Sequence, residues 1–331
     1  MRKIKVAAIQ PAQLEVPEAY HFGSPAFIPD VESIIKNCVL PRAEVTFTML
    51  EEVGKTGADI ITTCEDLSYA SAYIFDVSES SVFPPIVEKT YTIIEERLSH
   101  IAKKYDMNIV ACYYKPWGGK LHNTASIFNR SGEIIGDYKK THIPPFEFCH
   151  ATEGNVINVI DTDIGRIGIM ICYDMMFPSM GEVLSSLGAE IVFHPTFGYG
   201  WSDSIGEATL RTRASDGSFF LVTAKNYVSH NQAGKSSVID PWGTVLVDAG
   251  YARDTFIMHE IDLHNPKLHK EDNIHTLITG KANVRDRREG EKRTDLYSRV
   301  TTKTVDRYNF PPPGKEREAF IAKVMDIPYH W

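Results

Sequence analysis

RIGIMICYDMMFPSMGEVLSSLGAEIVFHP, residues 166–195, is the stretch whose reading decides the fold. Arg166–Cys172 is an almost continuous apolar run, which suits a strand buried on both faces. Ser179–Ala189 reads as the helix that follows, and Glu190–Pro195 as the next strand. Strand, helix and strand in succession give an α/β unit whose sheet is covered by helices on one face or both. Cys172 stands at the end of the first strand, just before a polar turn. A cysteine taken blindly is more often a small buried hydrophobe than a reactive group, so the rest of the chain must decide what this one is for.

The alternation continues outward in both directions. Ile4–Gln10 reads as a strand and Val31–Gly54 as mostly helical, broken at Pro41 because proline lacks the N–H that a helix interior needs. Ala58–Glu65 is a further apolar strand, ending in an acid. In Val87–Tyr105, Ile93, Ile94, Leu98, Ile101 and Ala102 recur at helical spacing, as on a helix packed against a sheet. Asn108–Tyr114 reads as a strand, and Asn123–Asn129 and Glu133–Lys140 as a hairpin, which makes the sheet mixed rather than purely parallel. No internal repeat stands out. Residues 12–40 are proline-rich and irregular, an excursion between the first strand and its helix. Beyond about Leu263 the periodicity gives way to charge and to PPPGKERE. The expected organisation is one domain over residues 1–262 and a C-terminal extension over 263–331 that supplies oligomer contacts.

The chain has 331 residues and a formal net charge of −8, enough length for a sizeable core and no dominant basic face for nucleic acid. Its one dense basic run, RDRREGEKR at 285–293, interleaves acids and reads as a solvated loop or an intersubunit salt-bridge region. No window approaches the roughly 18 apolar residues of a membrane span, and VAAI near the start is far shorter than a signal peptide's apolar core. The cysteines at 38, 64, 112, 149 and 172 are odd in number and lack the paired spacing of a zinc site. The expectation is a reduced cytoplasmic thiol protein with no metal and no organic cofactor, bound to neither membrane nor nucleic acid.

Three apolar strands end at polar residues: Glu65, Lys140 and Cys172. In open α/β sheets the C-terminal ends of strands are where sites are built. A thiol is a poor nucleophile until a base takes its proton, and a carboxylate can do so. The negative charge that then develops on an attacked carbonyl needs an ammonium or a backbone N–H beside it. An acid, an amine and a thiol are therefore the set that nucleophilic acyl transfer requires. Spacing alone does not bring three residues so far apart in the chain together.

Four segments in this order resemble those of the nitrilase superfamily of carbon–nitrogen hydrolases, over roughly residues 4–262. TCEDLSYAS is similar to its glutamate segment, with Cys64 where proline is usual. HNTASIFNRSGEIIGDYKKTHIP is similar to its lysine segment, IGRIGIMICYDMMFP to its nucleophile elbow, and GKSSVIDPWGTVL to its late hairpin. In PPFEFCHATEG, Glu147 stands seven residues before Gly154, the spacing of the second glutamate in the carbamoyl-amide branch, with Glu153 where proline is usual. The resemblance implies an αββα sandwich of the nitrilase type that pairs into αββα–αββα in a homodimer or higher homo-oligomer. It implies a catalytic set of Glu65, Lys140, Cys172 and Glu147.

On this resemblance Glu65 takes the proton of Cys172, Lys140 and the Tyr173 N–H hold the oxyanion, and Glu147 positions the water that opens a thioester. Tyr173–Asp174 follows the nucleophile where nitrile hydrolases carry Trp-Glu, which favours small-molecule linear amides or N-carbamoyl amides as substrates. Met175 and Met176 stand where many relatives have arginine at one or both positions, which argues for an uncharged or differently anchored acyl side. Tyr173, Met176 and Phe197 are the expected substrate-binding residues, although core packing explains side chains of their type equally well. Nitrile hydrolysis, acyl transfer at the same three residues and an inactive scaffold remain the alternatives.

Overall fold

A computed structural model describes residues 3–12, 30–73, 82–144, 147–148, 150–198, 203–229 and 232–264. Two six-stranded mixed sheets lie face to face. The first contains β1 (Lys3–Gln10), β2 (Ile60–Thr62), β3 (Asn108–Trp117), β4 (Lys120–Phe128), β5 (Ile134–Lys139) and β14 (Thr255–Asp262), in the order β14-β1-β2-β3-β4-β5. The second contains β6 (Val159–Thr162), β7 (Gly165–Ile169), β8 (Ile191–Thr196), β9 (Phe220–Lys225), β12 (Ser237–Ile239) and β13 (Val245–Asp248), in the order β13-β12-β9-β8-β7-β6. A short pair, β10 (Tyr227–Ser229) with β11 (Gln232–Ala233), stands apart. Helices α1 (Val31–Ile34), α2 (Leu40–Gly54) and α3 (Phe83–Tyr105) cover the first sheet. Helices α4 (Pro178–Ser186) and α5 (Asp203–Gly217) cover the second, giving the αββα sandwich.

Pairing gives both sheets the same plan. Strands β1, β2 and β3 run parallel, with β14 antiparallel outside β1 and the antiparallel β4 and β5 outside β3. In the second sheet β7, β8 and β9 run parallel, with β6 antiparallel outside β7 and the antiparallel β12 and β13 outside β9. The repetition lies in the backbone and not in the sequence, which is why no internal repeat is legible in the letters.

Local chemistry explains most element ends. Helix α3 buries Phe83, Ile86, Val87, Ile94, Leu98, Ile101 and Ala102 at helical spacing, and it stops at Asp106, whose left-handed φ of 51° lets its N–H close back on Ala102 and Lys103. The β4–β5 turn is held by Asn129, whose Oδ1 accepts from the N–H groups of Ser131 and Glu133. Pro41 does not break its helix. A π-turn, Ile35–Val39, joins α1 to α2 one step earlier, and Leu40 N–H bonds five residues back to the Ile35 carbonyl. The wider turn takes up the bond that proline cannot make. Most of the 12–40 excursion, Cys149, and residues 265–331 with their basic run lie outside the described residues, as does nearly all of the expected C-terminal extension.

Gly168 sits where β7 meets α4: a Cβ there would come within 3.0 Å of Leu184, 3.1 Å of Ala189 and 3.3 Å of Val192. Its neighbours Ile167 and Ile169 alternate to the opposite face and are buried. Gly168→Val is expected to overpack this junction and cost about 1–3 kcal/mol, read as a lower denaturation midpoint with an unchanged slope. An unchanged midpoint would mean that α4 does not depend on close approach here.

Candidate active site

Strands β2, β5 and β7 end at the same place, and the residues just past their ends form one cluster. The N–H groups of Thr63 and Leu67 still bond to carbonyls of β3, so Glu65 is held at the sheet's rim rather than on a free loop. Lys140 follows β5, an edge strand, and its own N–H bonds to the Asn123 carbonyl of β4. Cys172 begins a 3₁₀ turn, Cys172–Met176, with a left-handed φ of 44°. That conformation is uncommon for a residue with a side chain, and it belongs to sites where surroundings impose it.

Lys140 is buried between two carboxylates. Its Nζ donates to Glu65 Oε1 at 2.7 Å and to Glu147 Oε2 at 2.6 Å, and all three side chains are at most 6% exposed. Burial opposes the ammonium charge, but Glu147 and Glu65 outweigh it and hold the Lys140 pKa well above the usual lysine range. Burial likewise works to raise Glu147, and Lys140 beside it brings it below the usual carboxylate range. Asn123 Nδ2 donates to Glu65 Oε1 and to Glu147 Oε1, each at 2.8 Å, and the Tyr114 hydroxyl donates to Glu147 Oε1 at 3.0 Å. The second Glu65 oxygen accepts from the Phe197 N–H at 3.1 Å.

The Cys172 thiol hydrogen-bonds with Thr196 and with Glu65, and burial together with the Glu65 charge pushes its pKa up to about 12. It is therefore protonated at rest, next to a carboxylate placed to take the proton. Cys64 is pushed up by burial well beyond any reactive range, and Cys112, also raised by burial, donates to Asn123 Oδ1. Neither is prepared as a nucleophile.

Asp174 ties the two sheets together behind the site. Fully buried, it accepts from the Ile171 N–H and the Tyr138 hydroxyl on Oδ2, each at 2.8 Å. Its Oδ1 accepts from the His142 N–H at 3.0 Å and from His142 Nδ1 at 2.8 Å. One carboxylate thus holds the turn carrying Cys172 against the segment carrying Lys140, and His142, stacked on Phe177 at 3.9 Å, orients that segment. Arg213 Nε donates to the Met175 carbonyl at 2.9 Å, bracing the turn from α5.

Of the expected substrate-binding residues, Tyr173 is half-buried with its ring edge-on to Phe177, and Met176 is exposed. Phe197 is half-buried and stacks on Tyr69 at 5.1 Å. Met175, by contrast, is buried and faces the core. Sequence reasoning did not single out Asn123, Tyr114 and Thr196. Asn123 and Tyr114 face each other across the β3–β4 ladder and Thr196 closes β8, so only strand register carries the signal that they reach the site. Among the described residues no group of three or more His, Cys, Asp or Glu is disposed to hold a metal ion, and no helix is long and apolar enough to cross a membrane.

Comparison with known proteins places the chain among its relatives. The carbon–nitrogen hydrolase family model matches residues 5–267. The mouse omega-amidase NIT2 is 28% identical over 248 residues, covering 70% of this chain and 85% of the relative. The mouse deaminated glutathione amidase is 31% identical over 160 residues, 44% of this chain and 49% of the relative. Among solved structures, a carbon–nitrogen hydrolase from Helicobacter pylori superposes with a TM-score of 0.67 at 21% identity, covering 91% of this chain and 99% of that one. An amidase from Nesterenkonia sp. gives 0.65 at 17% identity, with 90% and 96% covered. With the family model spanning most of its length, this chain belongs to the carbon–nitrogen hydrolase family, enzymes that act on carbon–nitrogen bonds.

Proposed function

We propose that this chain hydrolyses small linear carboxamides with an uncharged acyl group, through a thioester on Cys172. The observation that carries the reading is a buried ammonium, Lys140, fixed at 2.7 Å and 2.6 Å between Glu65 and Glu147, with a protonated thiol hydrogen-bonded to Glu65. At rest two carboxylates and one ammonium give the cluster one net negative charge. A free thiolate would make that two in a desolvated site, so the Cys172 proton passes to Glu65 as the sulfur attacks the amide carbon. The total charge is unchanged: the carboxylate's negative charge reappears on the former carbonyl oxygen. Lys140 Nζ and the Tyr173 N–H stabilise it there.

Collapse of the tetrahedral intermediate breaks the C–N bond. Glu65 returns its proton to the leaving nitrogen, which cannot depart as an amide anion. Ammonia leaves and an acyl thioester remains. Water then adds to the thioester carbon, giving its proton to Glu65, and the C–S bond breaks to release the acid and restore the thiol. We assign Glu147 chiefly to holding the ammonium, since its oxygens are engaged by Lys140, Asn123 and Tyr114.

The acyl side is read from the side chains that flank the cluster in sequence. Phe197, whose N–H bonds Glu65, stacks on buried Tyr69; Tyr173, next to Cys172, meets Phe177 edge-on; and Met176, in the same turn, is 41% exposed. Arg213 is spent on the Met175 carbonyl, and buried Arg42 on the Ala12 carbonyl and, at 2.8 Å, Asn226. An apolar or neutral polar acyl group suits such side chains better than a carboxylate does. The omega-amidase and deaminated glutathione amidase relatives support amide chemistry as such, and an Nesterenkonia amidase variant carries the acetamide moiety of fluoroacetamide covalently at its active site cysteine.

Ammonia release should be measured across simple carboxamides, N-carbamoyl amino compounds and nitriles. Release from neutral carboxamides is expected to dominate, to vanish in Cys172→Ala, and to leave an acyl adduct on Cys172 visible by mass spectrometry in rapidly quenched wild-type enzyme. Preference for carbamoyl compounds or nitriles would overturn the substrate assignment, and activity surviving in Cys172→Ala the mechanism. Separately, Glu147→Gln retains the hydrogen-bonding shape but removes one of the charges holding Lys140. It is expected to lower kcat by about 10²-fold with little change in KM. A change confined to KM would instead make Glu147 a substrate-binding group.

A further inference from the structure

The peptide between Cys172 and Tyr173 has a second hold on it. His194, fully buried in the middle of the second sheet on β8, places Nε2 3.1 Å from the Cys172 carbonyl oxygen. Its other ring nitrogen, Nδ1, lies 3.0 Å from Thr223 Oγ1 on the adjacent strand β9. A carbonyl only accepts, so Nε2 carries the proton, and a neutral ring leaves Nδ1 as an acceptor. Thr223 Oγ1 also lies within donating distance of the His194 carbonyl, at 3.1 Å, and its single proton serves one of these two acceptors at a time. Burial, with Lys225 and Lys140 adding to it, brings the His194 pKa down to about 4 against the opposing pull of the Cys172 carbonyl and Asp174. The ring is neutral at physiological pH.

The Cys172 carbonyl and the Tyr173 N–H are the two ends of one planar trans peptide and point in opposite directions. Fixing the oxygen fixes the direction of the N–H. A hydrogen bond accepted at the oxygen also polarises the amide and strengthens the N–H as a donor. We propose that His194 is a positioning residue of the reaction: it donates from Nε2 to the Cys172 carbonyl and thereby aims and strengthens the Tyr173 N–H that receives the oxyanion. The left-handed φ at Cys172 gives this hold its purpose, since a strained turn keeps its geometry only where neighbours over-determine it. The Cys172 carbonyl sets the tautomer, and the reading rests on the amidase mechanism above.

Two variants and one spectroscopic measurement test it. His194→Leu removes the donor and keeps an apolar body, whereas His194→Gln keeps an N–H donor near the place of Nε2. His194→Leu is expected to lower kcat about 10- to 100-fold, somewhat less than loss of an oxyanion donor itself, with KM changed by less than about twofold. His194→Gln should recover most of the loss. Alkylation of Cys172 by 2-bromoethylamine, which has no carbonyl to fill the acceptor position and forms no oxyanion, should be slow, and its rate should be nearly the same in wild type and His194→Leu. In the ¹⁵N-histidine spectrum of the wild type, His194 should stay neutral and Nε2-protonated from pH 6 to pH 8.

Unchanged kcat in folded His194→Leu, equal impairment in both variants, or alkylation slowed as much as turnover would each overturn the proposal. So would an Nδ1-protonated or charged His194 in the wild-type spectrum, which decides the matter even if the leucine variant fails to fold. Failure of the amidase reading has a different signature, turnover that persists in Cys172→Ala. Turnover that needs Cys172 but ignores His194 sinks this inference alone.

Discussion

Everything in the site depends on keeping an ammonium ion out of water. Burying a charge costs several kcal/mol even after relaxation, and removing one partner from a buried pair typically costs about 3–5 kcal/mol. Lys140 meets that constraint with two carboxylates, and those carboxylates need donors of their own, which Asn123, Tyr114 and the Phe197 N–H supply. The bonds draw in β2, β3, β4, the segment after β5 and the end of β8. An edge strand, a hairpin and the rim of the opposite sheet therefore meet around one side chain. Burial at this cluster, with the Glu65 charge adding to it and Lys140 opposing, holds the Cys172 thiol pKa up.

Two sheets of identical plan explain how such a cluster is assembled. Parallel strands β1–β3 and β7–β9 bring their C-terminal ends to one rim, and β5, reversed twice by β4 and its turn, runs the same way. Glu65 and Lys140 arrive from the first sheet and Cys172 from the second. Asp174 is the tie between them, accepting N–H groups from the Cys172 turn and the Lys140 segment on one fully buried carboxylate. A carboxylate, an ammonium and a thiol from separate strands reach fixed positions because the sheets are rigid and the tie crosses the gap between them.

Much of this was legible in the letters, and the reasons for the rest are physical. Apolar runs such as Arg166–Cys172 and the periodicity of Val87–Tyr105 announced their strand and helix, and Glu65, Lys140 and Cys172 stood out as polar endings of apolar strands. The division into two sheets was not legible from pattern, because strands buried on both faces look alike in one covered sheet or in a sandwich. Pro41 misled, since its missing N–H was absorbed by a π-turn instead of ending the helix. Asn123, Tyr114 and Thr196 were missed because a polar residue on a strand says nothing of its neighbour until register is known. For Met175 and Met176, adjacent and chemically identical, the turn alone decides that one is core and the other exposed.

The resting protonation state constrains the order of events more tightly than the list of residues does. A thiol held near 12 is a weak nucleophile, so an electrophile that merely drifts into the site meets an unreactive sulfur. On the proposed mechanism, sulfur becomes nucleophilic only when Glu65 accepts its proton, and Glu65 gives up its charge only if that charge has somewhere to go. The place proposed for it is the carbonyl oxygen of a substrate held by Lys140 Nζ and the Tyr173 N–H. Proton transfer, attack and oxyanion formation are thus one coupled displacement of charge across a cluster whose total never changes. On this account selectivity comes from the requirement that a carbonyl fill the acceptor position before the thiol can lose its proton, not from a permanently activated cysteine.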